Sequence, residues 1–325
     1  MTFFSIIIPV YNLENYITRA LDSLLKQNFA PSLFEVIAVD DGSSDNSLNI
    51  LHEYAQQYKN LRVFHQENQG VSVARNLALK HVEGQYVSFL DGDDEFFKDS
   101  LKEIYAVLQK HDVDVIYNYA FVNDGTKNLR QVHKTPSRVI NYEICSIKQL
   151  GDFLNGGSVC GGFYKMEFLK KNQILFPENL WNAEDTIFNY TLFSKEPRIM
   201  FSDINLYMAH VRQGSASRSL SLERAKHFAH NIDYIVDYMS SKHLTGFQYE
   251  CMSLALFQSF GCGMNMLMEV GVKDARSIKE ILHYDRIPHL RIPNFVFSKK
   301  LKGYLLNHCF SLYIMMFKLR NTYKS

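Results

Sequence analysis

The 325-residue chain is short of cysteine, of net charge and of long apolar runs, and each shortage excludes something. Its five cysteines (Cys145, Cys160, Cys251, Cys262, Cys309) are odd in number and scattered, with no Cys-x-x-Cys pair. Neither a disulfide frame nor a cysteine zinc site is expected, and the thiols read as reduced and mostly buried in a cytosolic chain. A formal net charge of +1 lacks the basic excess of a general nucleic-acid binder, so no nucleic-acid partner is expected. No uninterrupted apolar stretch reaches the ~18 residues of a membrane span. The apolar run Phe3–Val10 lacks the basic flank of a signal peptide. Internal repeats and low-complexity segments are missing as well. So are Gly-x-Gly-x-x-Gly, the phosphate-loop Gly-x4-Gly-Lys-Ser/Thr, His-Glu-x-x-His and Gly-x-Ser-x-Gly. Their absence removes the common dinucleotide, NTPase, zinc-protease and serine-hydrolase readings.

What is present is a folded composition, 46% hydrophobic and 21% charged, in a chain long enough for a large core. The first hundred residues alternate between two periods. Strand-like runs at Phe3–Ile8, Phe34–Val39, Leu61–His65 and Tyr86–Leu90 are separated by helical spacing over Asn15–Gln27, Asp45–Tyr58, Val71–His81 and Ser100–Gln109. Such alternation implies βαβ crossovers, an α/β fold and a mostly parallel sheet covered by helices. Asp112–Val122 reads as a further strand. Asn155–Gly162, with Gly156, Gly157, Gly161 and Gly162, reads as a mobile loop. Helices near Lys165–Lys171 and Glu184–Ser194 and a short strand pair near Arg198–Val211 follow. Beyond Ser217 the pattern turns helical (Leu222–Met239, Tyr249–Val270). Two domains are therefore expected, residues 1–217 and 218–325.

In parallel sheets ligands bind beyond the carboxyl ends of the strands. Two acidic segments lie there. Asp91-Gly92-Asp93-Asp94 packs three carboxylates on one turn, which a hard cation such as Mg2+ or Mn2+ would offset; a solvated acidic turn is the alternative. Phe96 and Lys102 stand where a calcium EF-hand needs Gly and Glu. Asp40-Asp41-Gly42-Ser43 can accept from a base imide or ribose hydroxyls, or be a tight turn before a capped helix. Glu184-Asp185 opens a helix, where acids suit the dipole and where a carboxylate could also act as general base. His210-Val211-Arg212-Gln213-Gly214-Ser215 could close over a diphosphate or be a basic linker.

Taken in order, Ser5–Asn12 (SIIIPVYN), Val39–Asp45 (VDDGSSD), Asn68–Asn76 (NQGVSVARN), Tyr86–Asp94 (YVSFLDGDD) and Glu184-Asp185 closely resemble glycosyltransferase family 2, over roughly residues 3–215. The resemblance implies a GT-A fold and inverting transfer from a UDP-sugar. Asp41 would bind uracil, with Pro9, Tyr11 and Arg75 completing the nucleotide pocket. Asp91 would approach the ribose or the metal shell, and Asp93 would ligate Mn2+ or Mg2+ on the diphosphate. Asp185 would be the general base supported by Glu184, and His210 and Arg212 would neutralise the departing diphosphate. Residues 130–162 carry no matching motif, so the acceptor, a glycan or lipid-linked glycan of a surface polysaccharide, capsule or lipooligosaccharide, is unspecified. A non-catalytic sugar-nucleotide binder and a sugar-phosphate nucleotidyltransferase are the other readings. The first would be expected to lose an acid. The second would carry a Gly-rich basic loop where Pro9-Val10-Tyr11-Asn12-Leu13 stands.

The charge balance hides a basic end. From residue 286 onward Arg286, Arg291, Lys299, Lys300, Lys302, Lys318, Arg320 and Lys324 meet no Asp or Glu. Cations flanking the apolar stretch Gly303–Phe317 suit a helix at an anionic membrane interface, giving a cytoplasmic protein peripheral on the inner face of the cell membrane through residues 299–325. The alternative is a helix packed on the core or on a second subunit, which leaves a homo-oligomer open.

Overall fold

The computed structural model describes residues 1–125, 129–151, 157–180, 182–211, 220–244, 246–294 and 296–322, with the side chains at 133, 297 and 317–322 excepted. The chain divides into two compact units. The first is Met1–Gln149, Ser158–Asn179 and Glu196–Gln213; the second is Leu150–Gly157, Leu180–Lys195 and Gly214–Ser325. The composition shift near Ser217 marks only the last of these crossings.

The first unit opens with β1 (Phe4–Val10), α1 (Ile17–Leu25), β2 (Phe34–Asp41), α2 (Ser47–Gln57), β3 (Leu61–Gln66), α3 (Val71–Lys80) and β4 (Tyr86–Phe89). After these come β5 (Glu95–Phe96), α4 (Ser100–Leu108), β6 (Val115–Asn123), β7 (Arg130–His133), β8 (Ile144–Cys145) and α5 (Ile147–Leu150). The strands β9 (Gly162–Lys165) and β10 (Ile199–His210), with α6 (Met166–Lys171) between them, complete it. One sheet runs β3-β2-β1-β4-β9-β6-β10-β5, with β7 beside β6 and β8 beside β10. Strands β3, β2, β1 and β4 are parallel, and β10 runs parallel to β6. All eight β2 residues are buried, the signature of a strand covered on both faces. Because Val10 pairs with Asp40 and Ile7 with Phe89, the carboxyl ends of β1, β2 and β4 open on one edge. At the other end Glu35 accepts from Ser5 Oγ (2.6 Å), Arg62 Nη1 (2.8 Å) and Glu83 N–H (2.8 Å), so its buried carboxylate is paired.

Two segments differ from expectation. Val159, Cys160 and Gly162 are buried, and Gly162 begins β9, which runs antiparallel between β4 and β6. Only glycine fits at 162, where a Cβ would lie 2.8 Å from the Tyr164 ring. The strand is four residues long and starts on glycine, so it carries no β signal of its own. Residues 198–211 form not a strand pair but one 12-residue strand, β10. Register shifts between Phe201 and Asn205 and between Asn205 and Tyr207 bend it where the sequence looks like a turn.

The second unit is helical: α7 (Glu184–Phe193), α8 (Leu222–Ser241), α9 (Gly246–Glu269), α10 (Ala275–Ile281), α11 (Phe297–His308) and α12 (Phe310–Thr322). Ser221 caps α8 by accepting from Arg224 N–H, and Asp274 caps α10 from Ser277 N–H. Helix α9 is long and apolar enough to cross a membrane, yet 78% of its apolar window is buried, the setting of a core helix. The apolar stretch Gly303–Phe317 is divided between two helices, α11 and α12. They bury Leu306, Phe310, Tyr313 and Ile314 and expose Leu301, Tyr304, Leu312 and Met315.

Candidate functional site

The turns after β1 and β2 are laced together. Asn12 N–H donates to Ser43 Oγ (3.0 Å), and Ser44 N–H returns a bond to Asn12 Oδ1 (2.8 Å). Leu13 N–H donates to Ser47 Oγ (2.8 Å), Glu14 N–H to Asp45 Oδ2 and Asn46 N–H to Glu14 Oε2 (both 3.0 Å). Asn12 sits at φ 52°, a left-handed conformation that Asn tolerates. Pro9 is partly buried near the end of β1, and Tyr11 stands 49% exposed on this rim, available to stack on a base.

Asp41, at the end of β2, is 4% exposed. Its carboxylate accepts from Gln66 Nε2 (2.7 Å), Gln69 N–H (2.9 Å) and Gly70 N–H (2.9 Å). Three of about four lone-pair directions are thereby used to hold the segment between β3 and α3. Gly42 makes this possible: its φ is +73°, and a Cβ there would sit 2.7 Å from Asn68 N. The neighbouring Asp40 points the other way, fully buried, and its Oδ2 meets Ser43 N–H (3.2 Å) and His65 Nδ1 (2.8 Å).

The turn after β4 is the most constrained part of the edge. Asp94 N–H closes it onto Asp91 O (2.9 Å). Arg75, 3% exposed on α3, donates to Asp91 Oδ1 (3.0 Å), with its guanidinium 5.0 Å from the Phe176 ring centre and 5.9 Å from that of Phe89. Arg75 therefore holds Asp91 from a buried position on α3. Arg19 donates to the Asp93 carbonyl. Asp94 is 7% exposed; its oxygens accept from Tyr207 Oη (2.5 Å) and His210 N–H (2.7 Å). Burial, then the charge of Asp91, push the Asp94 carboxyl up to about 7 against the pull of these bonds, and Asp93 adds to the rise. Burial also raises the Tyr207 hydroxyl well above its usual range.

These donors can be tested against a divalent cation. Asp91 and Asp94 are committed to Arg75, Tyr207 and His210, and no group of three or more His, Cys, Asp or Glu among the described residues could cage a metal. Hard carboxylate oxygens in small number fit Mg2+ or Mn2+, which bind one or two carboxylates and complete their shell with substrate phosphate and water. They do not fit an all-protein cage. Asp93 is the residue that would hold such an ion, with Asp91 beside it.

His210 ends β10, its Nε2 2.8 Å from Glu95 Oε1. Arg212 lies outside the described residues. Glu184 and Asp185 belong to the second unit, half-buried in the first turn of α7. That helix is pinned within its unit: Asn189 Nδ2 donates to Gly157 O (2.5 Å), and Tyr190 Oη to Gln258 Oε1 (3.1 Å). Asn231 Nδ2 reaches Asn182 Oδ1 (2.7 Å) just ahead of it. The structure thus gathers Pro9, Tyr11, Asp41, Arg75, Asp91, Asp93 and His210 in the first unit and places Glu184 and Asp185 in the second.

Sequence reasoning missed the partners. Asp40 and Asp41 end β2, where successive residues face opposite sides, so one of that pair points inward; Asp94 sits in a turn, where no such alternation tells it from Asp93. Tyr207, 113 residues from Asp94, carried no local signal.

Residues 5–171 match the family model for glycosyl transferase family 2. The chain is 36% identical over 214 residues to the poly(ribitol-phosphate) beta-N-acetylglucosaminyltransferase TarS of Staphylococcus aureus, covering 65% of this chain and 36% of the relative. It is 32% identical over 213 residues to the poly(ribitol-phosphate) beta-glucosyltransferase of Bacillus spizizenii, covering 65% and 32%. The chain thus spans about a third of the length of these relatives. Among solved structures, S. aureus TarS 1–349 in complex with UDP-GlcNAc is similar with a TM-score of 0.71 and 28% identity, over 97% of this chain and 90% of that one. A mannosyltransferase from Pyrobaculum calidifontis, in complex with GDP-Man and Mn2+, shares the fold at 17% identity, with a TM-score of 0.53 over 99% and 87% of the two chains. With the segments at the ends of β1, β2 and β4 on one edge of the sheet and the family match covering half of the chain, the chain belongs to glycosyltransferase family 2.

Proposed function

We propose that this chain transfers a sugar from a UDP-sugar to a hydroxyl of a cell-surface polymer, a lipid-linked glycan or a polyol-phosphate chain, with inversion at the anomeric carbon. The observation that carries this reading is the edge formed by the turns after β1, β2 and β4, in a fold similar to that of TarS with UDP-GlcNAc. Tyr11 offers a stacking face for uracil. Asp41 fixes the 66–70 segment and reads the base imide with its remaining lone pair. Asp91, held by Arg75, accepts from the ribose, and Asp93 faces the diphosphate. A Mn2+ or Mg2+ held by Asp93 supplies Lewis-acid stabilisation of the charge that builds on the departing diphosphate. Asp185, in the first turn of α7, takes the proton of the attacking hydroxyl, with Glu184 beside it supporting it. His210 and Arg212 add positive or donor groups for the leaving diphosphate. A single displacement converts an α-linked donor into a β-linked product. Peripheral contact of the basic tail with an anionic membrane surface belongs to the same reading, since it would bring the site to a lipid-linked acceptor.

Turnover of a panel of UDP-, GDP- and CMP-sugars tests it, with polyol-phosphate and glycan polymers as acceptors and Mn2+, Mg2+ or EDTA present. One UDP-sugar should turn over only with metal, and Asp185→Asn should slow transfer ~10²-fold or more while donor binding persists. Turnover of no UDP-sugar under any of these conditions would refute the reading.

A further inference from the structure

Strand β10 reaches the Asp91–Asp94 turn through one hydroxyl. Tyr207 is 4% exposed, pairs with Phe96 across β5 and β10, and has its ring centre 6.1 Å from that of Phe96. Its Oη donates to Asp94 Oδ2 at 2.5 Å and accepts the Asp91 N–H at 3.4 Å, so it touches the first and the last residue of the turn. His210 N–H, three residues further along β10, takes the other oxygen of Asp94 at 2.7 Å. Nothing in the packing of the ring requires the hydroxyl, because phenylalanine would fill the same space. The hydroxyl serves the carboxylate, which at 7% exposure needs donors in place of lost water.

We propose that Tyr207 is a positioning residue: by tying Asp94 and the Asp91 N–H to β10, its hydroxyl fixes the turn that presents Asp93, and so sets how tightly the turn binds a divalent cation together with a nucleoside diphosphate. The proposal rests on the functional reading above. It separates the two neighbouring acids, giving Asp93 to the ligand and Asp94 to the scaffold. It also makes the binding strength of the turn depend on a strand more than a hundred residues away.

UDP binding measured by calorimetry, with saturating Mn2+ and again in EDTA, tests it on Tyr207→Phe. A hydrogen bond to a charged group corresponds to about tenfold or more in affinity. UDP affinity should fall by about that factor in Mn2+ and stay unchanged in EDTA; Tm should fall as well, because the buried Asp94 carboxylate loses a donor, so the difference between the two buffers is the readout. Asp94→Asn keeps the side-chain shape and should lose at least as much, since it disturbs the His210 N–H bond as well as the Tyr207 bond, and the double variant should lose less than the sum of the two single ones because they share the Tyr207–Asp94 bond. Equal losses with and without metal, or no loss in Mn2+, would overturn the proposal while leaving the functional reading intact. Wild-type protein whose UDP affinity ignores Mn2+ would overturn both.

Discussion

The Asp41 carboxylate accepts from one side-chain amide and two backbone N–H groups at once, whereas an amide in its place offers a single acceptor oxygen. Asp41→Asn should therefore release the 66–70 segment and weaken UDP binding about tenfold or more, read by calorimetry; affinity equal to wild type would show that the segment does not depend on it. Arg75 poses a different substitution problem. Its planar fork stacks on Phe176 and meets Asp91, and a lysine ammonium can do neither equally well. Arg75→Lys is expected to lower unfolding stability by about 1–3 kcal/mol in urea titration and to weaken UDP binding in parallel. A variant as stable as wild type would mean that the stacked geometry is dispensable. The residue types at both positions were legible in the sequence because motif spacing singled them out. Their bonds were not legible: whether a buried aspartate meets a ligand or its own loop depends on segments brought close by folding, such as Gln69 to Asp41 and Tyr207 to Asp94.

At the scale of elements, the parallel half of the sheet was readable because each of its strands is a short apolar run followed by a helix of clear period. Strands β5, β7, β8 and β9 escaped because two to four residues carry no periodicity, and their pairing is imposed by the neighbouring strands. Strand β10 was misread as a pair because its bulges look like a turn. Gly42 shows how an element junction becomes a binding feature: its φ is left-handed, and any Cβ there would lie 2.7 Å from the backbone N of Asn68. Gly42→Ala should cost about 1–3 kcal/mol, with the loss concentrated at the nucleotide edge. Hydrogen exchange should show faster opening of residues 66–70 while β6 and β10 stay protected; uniform loss of protection would contradict that local account.

At the scale of the molecule, the basic tail proves to be both packed and presented. Helices α11 and α12 bury Leu306, Phe310, Tyr313 and Ile314, so deleting residues 299–325 would strip apolar cover from the second unit and confound any partition assay. Substitution on the exposed face avoids this. Leu301 (63% exposed) and Tyr304 (58%) stand among Lys299, Lys300 and Lys302 with no acid nearby in sequence. The double variant Leu301→Glu, Tyr304→Glu should float poorly with vesicles containing phosphatidylglycerol, whereas wild type should float with them at low salt and less at high salt. Wild type that ignores such vesicles would remove the membrane from the account.

On the proposed reading, the Asp91–Asp94 turn binds a UDP-sugar through a shared divalent cation held by Asp93. Titration of UDP into wild type and Asp93→Ala, with Mn2+ and with EDTA, tests it most directly. Wild type should bind UDP at least about tenfold tighter in Mn2+ than in EDTA, and Asp93→Ala should show no such difference. Equal affinity for wild type in both buffers, or a metal effect that survives the loss of Asp93, would contradict it.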